Sequence, residues 1–120
     1  MSSKEIERLR HMRDAASAAL SFAAGKIRED LQSNLMFRFA LIRAIEIIGE
    51  AATQITNESR TAHPEIPWSD IVGMRNRLIH GYFDVDLDIL WRTVTDFLPP
   101  LLAALNQLIP PTSRSSAPMT

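Results

Sequence analysis

The chain has no cysteine in its 120 residues. That excludes a disulfide framework, a thiolate nucleophile and any Cys-based zinc or iron–sulfur site. A cysteine-free chain suits the cytoplasm, where we expect this protein to act. Glycine occurs only four times and tyrosine once, and aromatic residues make up 7%. No Asn-Gly or Asp-Gly pair is present, and alternating β-branched runs are few, so strand and hairpin signals are missing. No apolar run approaches the roughly 18 residues of a membrane span. The opening Met1-Ser2-Ser3-Lys4-Glu5 leads into charged residues, unlike a secretory signal. Positive charge is not in excess either: 13 Lys+Arg face 14 Asp+Glu, a net charge of −1. A globally basic nucleic-acid binder is thereby excluded, and any phosphate contact must come from a local cluster.

What is present fits one soluble globular domain. Hydrophobic residues make up 46% and charged residues 22%, enough for one continuous core at this length. We expect residues 1–109 to form a helical domain. The tail, residues 110–120, runs Pro110-Pro111-Thr112-Ser113-Arg114-Ser115-Ser116-Ala117-Pro118 and beyond. It offers too little apolar surface to offset its ordering entropy and is expected to be disordered. Eleven of the 13 cations are arginine, the better residue for bidentate phosphate contacts, although genomic base composition also produces this bias.

Apolar residues recur at three- and four-residue steps and predict helices. The first covers about 4–24, through Ile6, Leu9, Met12, Ala16, Ala19, Leu20 and Ala23, with Gly25 as its stop. The second runs from about Asp30, a candidate N-cap, to about Thr56. Its stripe is Leu31, Leu35, Phe39, Ile42, Ile45, Ile48, Ala52 and Ile55. Gly49 lies inside it, where glycine costs about 1 kcal/mol against alanine; a closely packed neighbouring helix would explain it. A polar connection leads to Pro67, suited to the first turn of a third helix that carries Ile71, Met74 and Leu78 and ends near His80-Gly81. Asp86 can cap a fourth helix, continued by Leu87, Leu90, Trp91, Val94, Leu98, Leu101, Leu105 and Leu108. Pro99-Pro100 should kink or break it. The expected fold is an all-α antiparallel bundle of four to five helices. Phe37 and Phe39 cannot share one face, which leaves apolar surface for a partner.

Three constellations could carry chemistry. Arg75-Asn76-Arg77-Leu78-Ile79-His80-Gly81-Tyr82 combines an imidazole, which moves protons near neutral pH, with guanidinium groups that hold phosphate. Arg75 and His80 lie five residues apart, roughly 140° around a helix. Either the helix end unwinds at Gly81, or two copies of the helix combine their residues in a symmetric cleft. The plain alternative is a histidine complementing a helix C-terminus beside two surface arginines. Asp84, Asp86 and Asp88 alternate, but lack the glycine and distal glutamate of an EF-hand, and capping accounts for Asp86 and Asp88; no metal site is expected. Arg43, Glu46 and Glu50 share a face of the second helix. They form an intrahelical salt-bridged face, or they orient Arg75 or His80 from a neighbouring helix. His11 and His63 have no metal-ligand spacing and are expected at the surface.

Arg75-x4-His80-x-Tyr82 resembles the signature of HEPN-superfamily ribonucleases. Further blocks stand in the order seen in HepT toxins of HepT/MntA toxin–antitoxin pairs. They are Ile45-Glu46-Ile47-Ile48-Gly49-Glu50-Ala51-Ala52, Ile66-Pro67-Trp68, Gly73-Met74-Arg75-Asn76, His80-Gly81-Tyr82 and Val85-Asp86. The resemblance covers roughly residues 5–109. It implies a HEPN-like homodimer that cleaves RNA, not DNA, without metal at the dimer cleft. The 2′-hydroxyl would attack the adjacent phosphate, with Arg75 steadying the phosphate and His80 moving the proton. Asn76 would position the phosphate or His80. The resemblance also implies a minimal nucleotidyltransferase antitoxin (MntA-like) that uses ATP to adenylylate Tyr82. The bulky anion so attached would compete for Arg75 and Arg77 and repel incoming phosphates. No cofactor of the chain's own is expected. The competing class is a non-catalytic helical module that binds and regulates a nucleotidyltransferase, suggested by the near-neutral charge. A dimeric scaffold without a nucleic-acid role is a third reading. The homodimer has a direct check: the mass in solution at micromolar concentration should be that of two chains, and a clean monomer would remove it.

Overall fold

A computed structural model of the chain describes residues 1–78 and 85–111. Every regular element among them is helical. They are α1 (Ser3–Ala23), α2 (Asp30–Ser33), α3 (Leu35–Thr53), α4 (Asn57–Ala62), α5 (Trp68–Leu78), α6 (Leu87–Arg92) and α7 (Leu98–Leu108). A π-helical turn, Thr93–Phe97, joins α6 to α7 without interruption. The all-helical class is as the periodicity predicts. Counting α6 to α7 as one rod, the described residues hold six helices rather than four or five, because short helices form where capping side chains interrupt the apolar stripes.

α1 begins with a reciprocal capping box. The Ser2 hydroxyl accepts from the Glu5 amide at 3.1 Å, and the Glu5 carboxylate accepts from the Ser2 amide at 3.3 Å. It ends at Ala23, with Gly25 at φ +76°, a conformation that L side chains rarely adopt.

The helix expected over Asp30 to Thr56 is two helices. Asn34 is extended, at φ −123° and ψ 99°, and its side chain accepts from the Phe37 amide at 3.1 Å, so it caps α3. Asp30 is not the N-cap of α2; it lies in the first turn and accepts from the Ile27 amide at 2.9 Å. The break also shifts the stripe. Leu35 and Phe39 were expected inside, yet they are exposed, while Phe37 is buried. With Phe22, Ile27 and Met36 they leave large apolar side chains in the open around the α1–α3 connection.

The connection after α3 contains α4, capped by Thr56, whose hydroxyl accepts from the Ser59 amide at 3.2 Å. Arg60 of α4 then reaches back to the end of α3. It donates from Nη2 to the Ala52 carbonyl at 2.8 Å and from Nε to the Ile55 carbonyl at 3.2 Å. The Ala52 carbonyl, in the last turn of α3, also accepts from the Ile55 amide at 3.2 Å, and Ile55 follows the helix. The Arg60 guanidinium also sits 5.9 Å from the ring centre of Trp68, the first residue of α5. One arginine thus ties the end of α3 to the start of α5, which makes the two helices antiparallel. The predicted end of α5 near His80-Gly81 lies outside the described residues.

Asp86 caps α6 as expected, accepting from the amides of Asp88 at 2.9 Å and Ile89 at 3.1 Å. Pro99 and Pro100 do not break the helix. They stand in the first turn of α7, directly after the π-helical turn, within which the Leu98 amide donates to the Thr93 carbonyl. The wider turn admits the proline rings, which would crowd the carbonyls four residues back in a regular α-helix.

The core is apolar and continuous. It is filled by Leu9, Met12, Ala16 and Ala19 of α1, Leu41, Ile45, Ile48 and Ala52 of α3, Ile71, Met74 and Leu78 of α5, and Leu90, Val94, Leu98, Leu101 and Leu105 beyond. α3 is central, packing against both α1 and α5. No helix among the described residues is long and apolar enough to cross a membrane. Of the tail, Pro110 and Pro111 are irregular and exposed, and residues 112–120 lie outside the described residues.

The start of α1 is fastened to the start of α4 by Glu5, a buried carboxylate. It accepts from the Thr56 amide at 2.8 Å and from the Ser59 hydroxyl at 2.9 Å. The Thr56 amide is the main cause of a pKa lowered from 4.5 to about 2; burial opposes it, and Ser59 and Ser2 add to it. A carboxyl group with a depressed folded-state pKa contributes stability that is complete above its unfolded value and is lost as the pH falls through the folded one. Glu5→Gln should therefore flatten the fall in Tm between about pH 4.5 and pH 2. Thermal melts across that window check it; parallel curves for parent and variant would show that Glu5 contributes nothing there.

Candidate functional site

Arg75, Asn76 and Arg77 occupy successive positions in the last turn of α5. Successive helical residues point about 100° apart, so the three cannot act in one direction. Arg75 faces α3. Its side chain lies across Gly49: a methyl group there would stand 2.7 Å from Cβ and 2.8 Å from Cγ of Arg75, and closer still to Cδ. No other residue type leaves room for this stem. The mid-helix glycine is thereby explained, by an arginine rather than by backbone contact alone.

Two arginines have a buried Nε without a partner among the described residues, Arg10 and Arg75, and only Arg10 has a carboxylate beside its head, Glu7 at 3.6 Å. Leaving a buried donor unpaired costs about 1–3 kcal/mol. Among the described residues no carboxylate lies within ion-pair distance of Arg75, since the nearby acids are engaged elsewhere. Glu46 and Glu50 pair with Arg43, at 3.3 Å and 3.8 Å. They form the intrahelical face that was one of the two readings, and no hydrogen bond joins them to Arg75. A guanidinium with a clamped stem and no counter-ion among the described residues is suited to an external anion.

Arg77 points the other way. It lines an open groove with Asp70 and Met74 of α5 and Ile89, Arg92, Thr93 and Phe97 of the following rod. Sequence reasoning grouped Arg77 with Arg75, and the structure separates them to opposite sides of α5. Asn76 is exposed. His80, Tyr82 and Asp84 lie outside the described residues. Asp86 is occupied as a cap, and Asp88 accepts from Arg28 Nε at 2.6 Å, so both have a structural use. Among the described residues no three His, Asp or Glu side chains gather in a way that could hold a metal ion. His11 lies 3.2 Å from Glu7 and His63 3.5 Å from Glu65.

Comparison with known proteins agrees with the motif. The family model described as "Ribonuclease HepT-like" matches residues 12–108. A protein of Thermococcus cleftensis named "Probable ribonuclease HepT" is 46% identical over 80 residues, 67% of this chain and 73% of the relative. A protein of Methanocaldococcus jannaschii, whose name assigns it provisionally as an RNase, is 40% identical over 73% of this chain and 81% of its own length. Another so named, from Caldanaerobacter subterraneus subsp. tengcongensis, is 33% identical over 84% of this chain and 90% of its own. No solved structure matches.

The seat of Arg75 can be tested by filling it. Gly49→Ala gains about 1 kcal/mol of helix propensity, but overpacking against the Arg75 stem costs about 1–3 kcal/mol. The Tm should fall, and adding Arg75→Ala should recover only the part due to Cγ and Cδ, since the Cβ at position 75 stays 2.7 Å from the new methyl. A single variant as stable as the parent would show that the seat is not tight.

Proposed function

The chain belongs to the HepT-like ribonuclease family, and from that premise we propose that it is an endoribonuclease toxin with a composite Arg75/His80 site at a homodimer cleft. The observation that carries this reading is the seat of Arg75: stem fixed over Gly49, Nε buried and unpartnered. A phosphate in that position would supply the missing acceptor. The names of the relatives point to RNA as the polymer that brings it.

The chemistry follows from the groups. The 2′-hydroxyl oxygen attacks the adjacent phosphorus and the bond to the 5′-oxygen breaks, leaving a 2′,3′-cyclic phosphate and a 5′-hydroxyl. His80 accepts the 2′-hydroxyl proton and returns a proton to the 5′-oxygen. Arg75 carries the charge that builds on the phosphoryl oxygens. Asn76 hydrogen-bonds the phosphate or His80. The chain's own groups suffice for these steps, and no metal is assigned. Five residues separate Arg75 from His80, roughly 140° on a continuous helix, so a second copy of the chain bringing its own residues to the cleft would complete the pocket.

Control falls to Tyr82. A nucleotidyltransferase partner would transfer AMP from ATP to its hydroxyl oxygen, releasing pyrophosphate. It is the only tyrosine in the chain. The added phosphate competes with substrate for the same cations.

Arg75→Ala and His80→Ala should each slow cleavage of total RNA by at least about 100-fold while leaving the dimer folded. Cleavage by His80→Ala at the parent rate would refute the assignment. Tyr82→Phe should escape neutralisation by the partner, and the intact mass of the co-expressed parent chain should rise by one adenylyl increment. Equal protection against Tyr82→Phe would show that binding alone silences the toxin. RNA left intact by the parent chain would make it a regulator of the nucleotidyltransferase instead.

A further inference from the structure

The groove on the far side of α5 is not used by the chemistry above. It has a volume of about 290 Å³ and lies between α5 and the rod formed by α6 and the π-helical turn. Met74, Ile89 and Phe97 give it an apolar floor, with Phe97 and Ile89 only half-buried. Arg77 and Arg92 stand exposed at its rim, and neither has an acidic partner within ion-pair distance among the described residues. Asp70 is the one carboxylate in the lining.

We propose that this groove is a nucleotide subsite, taking one base and its phosphate from the single-stranded RNA that also occupies the Arg75 site. The choice of RNA rests on the ribonuclease reading; the groove's chemistry stands apart from it. A half-open aromatic ring beside a flexible thioether is a stacking platform that any base can use. Two guanidinium forks above it match a phosphate, and with Asp70 they leave a net charge of +1 over the groove. Asp70 argues against an acidic peptide, which it would repel. A base suits it, because amino and imino N–H groups on the base edge can donate to its carboxylate.

The π-helical turn contributes to the shape. Thr93 and Phe97, its first and last residues, both line the groove. The Thr93 hydroxyl is held by the Ile89 carbonyl at 2.7 Å, which fixes that wall. π-turns inside α-helices recur at functional sites. This one exists because Pro99 and Pro100 follow it, so the prolines shape the groove from outside it. Arg75 and Arg77 point about 200° apart, so the two sites lie roughly a helix diameter, ~10 Å, from each other. A strand crossing α5 has about that distance to span to reach both.

The test uses the full chain carrying His80→Ala, which prevents cleavage, and a fluorescein-labelled single-stranded RNA of about 12 nucleotides (a length chosen to span both sites by the ~10 Å estimate). Fluorescence anisotropy is read from low to high salt. Adding Arg92→Ala should weaken binding and reduce the slope of log affinity against log salt by about 0.7. Arg92→Lys should restore the slope. Phe97→Leu, which keeps the apolar volume, should weaken binding at least about fivefold without changing the slope. Melting curves for each variant verify folding. Equal affinity and slope in Arg92→Ala and its parent would overturn the subsite. So would an oligoglutamate peptide that binds as tightly as the RNA and depends on Arg92 in the same way. RNA bound through Arg92 by a parent chain that cleaves nothing would keep the subsite and sink the ribonuclease reading. Cleavage that needs His80 but is indifferent to Arg92 and Phe97 would do the reverse.

Discussion

The close approach of α5 to α3 over Gly49 is the constraint on which the site depends. A helix with a bare position admits the stem of an arginine from its neighbour, and the stem then has nowhere else to lie. The guanidinium is aimed by packing rather than by hydrogen bonds. Among the described residues its Nε is left without a partner, whereas an ion pair would consume that donor. The cost is a buried Nε without a partner and a glycine inside a helix, each of order 1 kcal/mol or more. Stability alone would not retain either. Arg60 secures the arrangement from the side: by closing the carbonyls of Ala52 and Ile55 and lying on Trp68, it sets where α5 starts and so where Arg75 falls along α3.

Much of the fold was legible because burial here follows helical periodicity closely. Leu9, Met12, Ala16 and Ala19, then Ile45, Ile48 and Ala52, were chosen on spacing and are buried. Asp86 as a cap and Gly25 as a stop were also readable, each from the chemistry of one residue type. The misreadings share a cause. Asn34 and Thr56 cap α3 and α4 with their side chains, but both sit within or beside apolar runs, and periodicity passes over a single polar residue. The consequence at Asn34 was large, because a one-residue break turned Leu35 and Phe39 outward and Phe37 inward. The π-helical turn was half-legible. Two consecutive prolines announce a disturbance, but only tertiary packing decides between a break and a widened turn.

The candidate site was legible as residue types and not as geometry. Arg75 and the glycine at position 49 each stand out in the sequence, yet nothing in the spacing joins positions so far apart in the chain. Arg75 and Arg77 were grouped because they are adjacent in sequence, while the helix sends them to opposite sides. Glu46 and Glu50 were kept open as possible partners of the site. Arg43, which shares their face, takes both.

Charge shows most clearly how far composition can mislead. A net charge of −1 suggests a poor grip on a polyanion, but a sum ignores what each charge is doing. Glu5, Asp30 and Asp86 accept backbone amides at helix ends, where they offset the helix dipoles. Glu7, Asp14, Glu46, Glu50 and Asp88 face arginines at 4 Å or less. Arg38 and Arg60 are spent on carbonyls. On α5 and the rod beside it the balance differs: Arg75 facing α3, and Arg77 and Arg92 at the groove, have no such partner among the described residues, and Asp70 is the one acid lining that groove. Among the described residues most carboxylates are thus engaged in capping and pairing, while Arg77 and Arg92 outnumber Asp70 in the lining of the groove. That local excess, rather than the total, sets the field a phosphate meets on approach.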